Sequence, residues 1–135
     1  MKVLALDFGS ARTGVAVSDP TGTVARPLGV IERAATEDGL ARVAQLIREE
    51  RAERVVVGLP LTLRGERGDQ ANETEDFVRS LRRAVDVPVE SFDERFTTTL
   101  AERSPGSDAR APSDARAAAH LLSSYLAWSS SRGGE

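Results

Sequence analysis

Cysteine is absent from this chain, which excludes a disulfide framework and any thiolate metal site. No apolar run approaches the roughly 18 residues that a membrane span requires. The N-terminus carries one lysine without the apolar stretch and small-residue cleavage site of a secretory leader, so a cytoplasmic protein is expected. Histidine occurs once, as His120, and lysine once, as Lys2; every other basic residue is arginine. Arginine is the cation better suited to bidentate phosphate contacts. Excess positive charge is also lacking: the formal net charge is −3, so bulk electrostatics do not announce a nucleic-acid binder. A local arginine patch remains compatible with one, and a protein that recruits a divalent cation needs less positive charge of its own. Gly9 and Gly14 are not followed by Gly-Lys-Ser/Thr, which excludes a P-loop.

What is present reads as one domain over 1–131 with a disordered tail at 132–135, as 135 residues allow. Residues 2–7 and 13–19 are two apolar strands joined by a turn over Gly9 to Arg12, and 23–32 is a third, with Pro27 marking an edge or a bulge. A helix follows over 37–51, where Leu40, Val43, Ala44 and Ile47 share one face and Thr36 is the cap. "RVVVGLP" (54–60) is a β-branched strand of the kind buried on both sides. After a polar loop at 61–71, Asn72 and Glu75 form a capping-box pattern ahead of the stripe Phe77, Val78, Leu81, Ala84 and Val85. Residues 87–92 are a fifth strand, "DERFTTTLAER" opens a short helix, 104–112 is a loop, and Ser113 caps a last helix running to about 130. Three meandering strands followed by alternating strands and helices predict an α/β fold: a mixed five-stranded sheet, three leading strands antiparallel and two parallel, with flanking helices. That is the outline of a ribonuclease-H-like domain.

Three carboxylates stand where apolar elements begin or end. Asp7 closes the first strand, Glu94 follows the last, and Asp114 opens the final helix. Asp114, Ala118, Leu121, Leu122 and Tyr125 fall at i, i+4, i+7, i+8 and i+11, so the acid lies on the face that packs inward. Taken singly, each has an ordinary explanation: a structural acceptor, a surface ion pair with Arg95, and an acid favoured at a helix start. Together they would repel one another near the sheet's carboxyl end unless a divalent cation joined them. An all-oxygen donor set selects Mg²⁺ or Mn²⁺, and one or two such ions suit phosphodiester hydrolysis. Asp93 competes with Glu94, since strand alternation alone does not decide between them. Asp19 and Asp69 sit in turn-like contexts.

Around these acids, Gly9, Gly58 and Pro60 place backbone where a polyanion could approach. Arg12 and Arg95 flank the acids, and the hydroxyls of Thr97 and Thr98 are candidate phosphate contacts. His120 lies with Arg116 and Ser124 away from the apolar stripe. Tyr125 and Trp128 anchor the last helix. "DFGS" also resembles the phosphate loop of actin-like ATPases, but those enzymes close two such domains on a nucleotide.

"LALDFGSARTGVAVSD", "VVVGLPLTLRGERGDQ", "FDERFTTTLAE" and "SDARAAAHLLSSYL" occur in order over about residues 3–127, and the chain thereby resembles the YqgF/RuvX family of ribonuclease-H-like proteins. Members are described as Holliday junction resolvases and as pre-16S ribosomal RNA nucleases. The resemblance implies that Asp7, Glu94 and Asp114 are the catalytic, metal-holding acids, which favours Glu94 over Asp93. It implies Mg²⁺- or Mn²⁺-dependent cleavage of structured nucleic acid, with pre-ribosomal RNA first and branched DNA second. A nucleic-acid-binding regulator with little catalysis is the alternative. Only Arg110 stands in the stretch before the third acid, where family members often carry several basic residues. A resolvase would act as a homodimer; an RNA nuclease could act as a monomer.

Overall fold

Strand β1 (Val3–Asp7) is the axis of a five-stranded sheet in the computed structural model, which describes residues 1–60, 68–94 and 112–131. On one side it pairs antiparallel with β2 (Arg12–Ser18), which pairs antiparallel with β3 (Ala25–Glu32). On the other it pairs parallel with β4 (Arg54–Leu59), itself parallel to β5 (Val89–Asp93). The order β3-β2-β1-β4-β5 is the mixed sheet expected from the sequence. Pro27 proves to sit both on an edge strand and at a bulge: β2 and β3 slip register between Val15 and Ala16, so that Ala16 faces Pro27.

Side-chain alternation divides the core in two. Leu4, Leu6 and Phe8 point to one face of the sheet, with Val15, Val17, Val55, Val57 and Val89. That face is covered by helix α1 (Glu37–Glu50), through Val43 and Ile47, and helix α2 (Asp69–Ala84), through Phe77, Val78 and Leu81. Val3, Ala5, Ala16, Val56 and Phe92 point to the opposite face, covered by helix α3 (Ser113–Ser131) through Ala118, Leu121, Leu122 and Tyr125. Each large buried apolar side chain contributes roughly 1.5–3 kcal/mol. Five of the buried residues in the contact under α3 are alanines, and small residues let a helix settle close to the strands. Near its C-terminal end α3 is tied to the sheet: Arg54 Nη1 donates to the Tyr125 hydroxyl at 3.0 Å, and that hydroxyl donates to Glu90. Tyr125 also meets Phe92 edge to face, with 5.5 Å between ring centroids.

Thr36 caps α1 as expected, its Oγ1 accepting from Gly39 N at 3.1 Å. The helix stops at Arg51, whose backbone is left-handed (φ 57°) and whose N–H reaches the carbonyls of Arg48 and Ile47. One other non-glycine residue among those described, Arg33 (φ 49°), shares this conformation, which costs a side-chain-bearing residue roughly 1–2 kcal/mol. Helix α2 departs from the expected capping box. It begins at Asp69, since Asn72 N donates the first helical bond to the Gly68 carbonyl; the cap is thus Gly68, which has no side chain to offer a capping bond. Asp69 is thus a first-turn acid and not a turn residue. Strand β5 starts at Val89, later than expected, since Pro88 contributes only its carbonyl, to Val55 N. Ser113 is the first residue of α3 and Arg116 N bonds the Pro112 carbonyl, so that helix starts one residue earlier than a Ser113 cap would place it. Ser124, expected on the outward side of α3, is buried. Of the loop expected at 61–71, Asp69–Ala71 belong to α2, and of the short helix expected from Asp93, that residue ends β5; residues 61–67, 95–111 and the tail at 132–135 lie outside the described residues.

Candidate active site

The same alternation that builds the core places the acids. Asp7 follows Val3 and Ala5 on the α3 face, and Glu94 follows Glu90 and Phe92 on that face. Asp93 follows Val89 and therefore points the other way. Of Asp93 and Glu94, between which periodicity alone does not choose, it is Glu94 that lies on the face α3 covers and beside Asp7.

Asp7 and Glu94 meet. Their carboxyl groups share a hydrogen bond, and with it one proton. Burial, then the Asp7 charge and the bond to it, then Asp93, push the Glu94 carboxyl up to about 7. Burial also raises Asp7; the bond from Glu94 opposes that rise and the charge of Asp114 adds to it. Two half-buried carboxyls in contact hold one proton between them because both cannot ionise cheaply at that distance. Phe8, the next residue, stacks on Phe77 of α2 with ring centroids 4.5 Å apart, which fixes the strand end from the opposite face.

Asp114 comes to this pair because of a glycine. Gly14 is the register partner of Asp7 in β2, and a β-carbon there would lie 1.8 Å from the Asp114 carbonyl oxygen. Any side chain at position 14 would drive the first turn of α3 off the sheet. Among the described residues, no group of three or more Asp, Glu, His or Cys side chains converges closely enough to hold an ion. The expected trio is therefore a joined pair with a neighbour: Asp114 acts on Asp7 through its charge, while its Oδ2 takes an ion pair from Arg12 Nε at 3.2 Å.

The remaining expected residues fall as follows. Gly9 makes the turn after β1, where a β-carbon would lie 2.5 Å from the Arg12 carbonyl oxygen. Arg12 opens β2 and is largely exposed. Gly58 is buried, and a β-carbon on it would come 2.7 Å from Glu94 Oε1 and 3.0 Å from Leu121 Cδ2; its small size makes room for the glutamate. Pro60 is half-buried just beyond β4. Arg95, Thr97 and Thr98 lie outside the described residues. Asp19 belongs to another place altogether, a turn in which it accepts from Thr21, Thr23 N and Val24 N. Sequence reasoning missed Gly14 as a shaper of the site. Its signal was available: a glycine inside an apolar strand marks a close approach of another backbone.

All the donors at this pair are oxygens. Mg²⁺ and Mn²⁺ are commonly held by one or two carboxylates, with waters and substrate phosphates completing the shell. Asp7 and Glu94 fit that role once their shared proton is lost.

The family model described as "RuvX: Holliday junction resolvase" matches residues 1–128. A protein of Chloroflexus aurantiacus (strain ATCC 29366 / DSM 635 / J-10-fl) is 48% identical over 101 residues, 75% of this chain and 66% of that protein. One of Syntrophomonas wolfei subsp. wolfei is 36% identical over 132 residues, 93% of this chain and 94% of that protein. Both bear the name "Putative pre-16S rRNA nuclease". Among solved structures, Thermus thermophilus RuvC in complex with a Holliday junction superposes with a TM-score of 0.68 at 19% identity, covering 99% of this chain and 97% of that one. At that identity the likeness concerns the fold.

Proposed function

Because the chain belongs to the RuvX family, we propose that it is a divalent-metal-dependent endonuclease that hydrolyses phosphodiester bonds in structured nucleic acid, with precursor 16S ribosomal RNA as its substrate. The observation that carries this reading is the hydrogen-bonded pair Asp7–Glu94 at the carboxyl ends of β1 and β5, which flank β4, with Asp114 beside it. Ligand sites of open α/β sheets lie at this end of the strands. A hydrogen-bonded acid pair is a costly arrangement for a purely structural site, and it suits one that exchanges its proton for a cation.

In this reading Asp7 and Glu94 hold the ion after deprotonation. Bound Mg²⁺ or Mn²⁺ supplies Lewis-acid polarisation of the scissile phosphate and charge for the leaving oxygen. Asp114, steadied by Arg12, keeps a second carboxylate charge next to Asp7. Arg12 presents its exposed guanidinium to the phosphate backbone at the mouth of the site, and the Gly9 turn brings main chain close beneath it. Arg95, Thr97 and Thr98 are proposed as further substrate contacts following Glu94.

The family description favours one second reading, cleavage of branched DNA. A single panel separates the two. Precursor 16S RNA, unstructured RNA and a four-way DNA junction are offered with Mg²⁺, Mn²⁺ or EDTA, to the wild type and to Asp7→Asn. Metal-dependent cleavage of the precursor, lost in Asp7→Asn, is expected. Cleavage confined to the junction supports the second reading, and cleavage that survives Asp7→Asn or EDTA overturns the site.

A further inference from the structure

Arg33 lies at the catalytic end of the sheet, two strands over from Asp7. It follows the last residue of β3, and its N–H donates to the Ala11 carbonyl at 3.0 Å. Ala11 belongs to the turn between Gly9 and Arg12, so Arg33 is bolted to the loop that leaves the Asp7 strand. Its neighbour Glu32 is the register partner of Arg12. Arg12 and Arg33 thus stand at consecutive strand ends along one rim, with about 4.8 Å between strands. Both are exposed, but Arg12 pairs through Nε with Asp114, whereas Arg33 has no ion-pair partner among the described residues. An open groove of about 550 Å³ begins at this point, lined by Val30, Glu32, Arg33, Thr36, Asp38 and Arg42 among others.

We propose that Arg33 is a substrate contact: its guanidinium binds one backbone phosphate of the nucleic-acid strand that runs from the Asp7–Glu94 pair past Arg12 and over the β3 edge. The inference rests on the nuclease reading above and adds a direction to it, assigning the β3 side of the sheet as the path of the flanking strand. The contact is to one phosphate and not to a basic field, because Glu32 and Asp38 line the same groove and Arg42 pairs with Glu49 at 4.0 Å. A phosphate contact carries no base information, so the effect is the same for every sequence.

The left-handed backbone at Arg33 provides a clean test. Glycine accepts that conformation without strain, so Arg33→Gly removes the guanidinium while leaving the fold as stable or more so. Arg51→Gly makes the same change at the bottom of α1, away from the acids, and serves as control. Binding of fluorescein-labelled precursor 16S RNA and of a labelled four-way DNA junction is followed by anisotropy across a salt series, with each variant placed on the Asp7→Asn chain. For whichever probe the Asp7→Asn chain binds, Arg33→Gly is expected to weaken binding roughly fivefold and to lower the salt slope by about one. Arg51→Gly is expected to leave both unchanged. On the otherwise wild-type chain, Arg33→Gly raises KM while kcat holds. Unchanged affinity and slope in Arg33→Gly, or an equal loss in Arg51→Gly, would overturn the proposal while wild-type cleavage leaves the nuclease reading standing. Absence of both cleavage and binding in the wild type would remove the two together.

Discussion

Gly14 and Asp114 touch backbone to backbone: no atom larger than hydrogen fits on the Gly14 α-carbon beneath the Asp114 carbonyl. The strand partner of Asp7 is thereby the seat of the helix that carries Asp114. Gly58 plays a parallel part under Glu94, but there the obstacle is the far end of a flexible side chain.

The two glycines should respond differently to alanine. Gly14→Ala forces a backbone shift of α3 and is expected to cost about 3 kcal/mol of stability as well as activity. Gly58→Ala asks that two side chains give and no backbone, the Glu94 carboxyl by most and the Leu121 methyl slightly, so the loss of stability stays near 1 kcal/mol while cleavage falls at least about tenfold. Denaturant unfolding alongside cleavage rates measures both, and equal stability losses would count against the assigned contacts.

Removing the Asp7 charge should separate folding from chemistry. Asp7→Asn is expected to lower metal-dependent cleavage by roughly 10³-fold, equivalent to ~4 kcal/mol of transition-state stabilisation. At pH 7.5 its Tm should equal or exceed that of the wild type, because repulsion with Glu94 is relieved. A marked fall in Tm would instead mark Asp7 as a structural acceptor.

Stability of the metal-free protein should fall as pH rises between about 4.5 and about 7. Over that window folded Glu94 keeps a proton that the unfolded chain has released, so each step upward favours unfolding. Burial raises Asp7 in the same direction. Partial exposure of Glu94 reduces its share to on the order of 1–2 kcal/mol. Asp19 acts oppositely but lower: its turn hydrogen bonds depress its carboxyl, so its contribution, present above the unfolded 3.8, disappears only in more acidic solution. Thermal melts from pH 5 to pH 7.5 are expected to show a declining Tm that Glu94→Gln flattens. A wild-type profile that matches the glutamine variant would refute the shared proton.

Tyr125→Phe tests the far end of α3. The hydroxyl that joins Arg54 to Glu90 is lost, which is expected to cost about 1–2 kcal/mol. Cleavage kcat/KM should stay at the wild-type value, since nothing at the acid pair changes. A large kinetic effect would mean that α3 transmits strain from Tyr125 to Asp114.

The sequence alone determined the element order, the five-stranded mixed sheet and the placing of Asp7 and Asp114 at the ends of apolar elements, because strand and helix periodicities are local. The spacing of Asp114 with Ala118, Leu121, Leu122 and Tyr125 showed its inward face directly. The start of α2 was misread, because Asn72 and Glu75 matched a cap while the Gly68 carbonyl supplied the first helical bond. Which of Asp93 and Glu94 joins Asp7 was decided only by tertiary structure, since alternation separates two faces without saying which one α3 covers. The same holds for the pairing itself. That Asp7 and Glu94 share a proton while Asp114 turns to Arg12 depends on burial and on distances of a few ångströms between strands and a helix far apart in the chain, and no local pattern contains them.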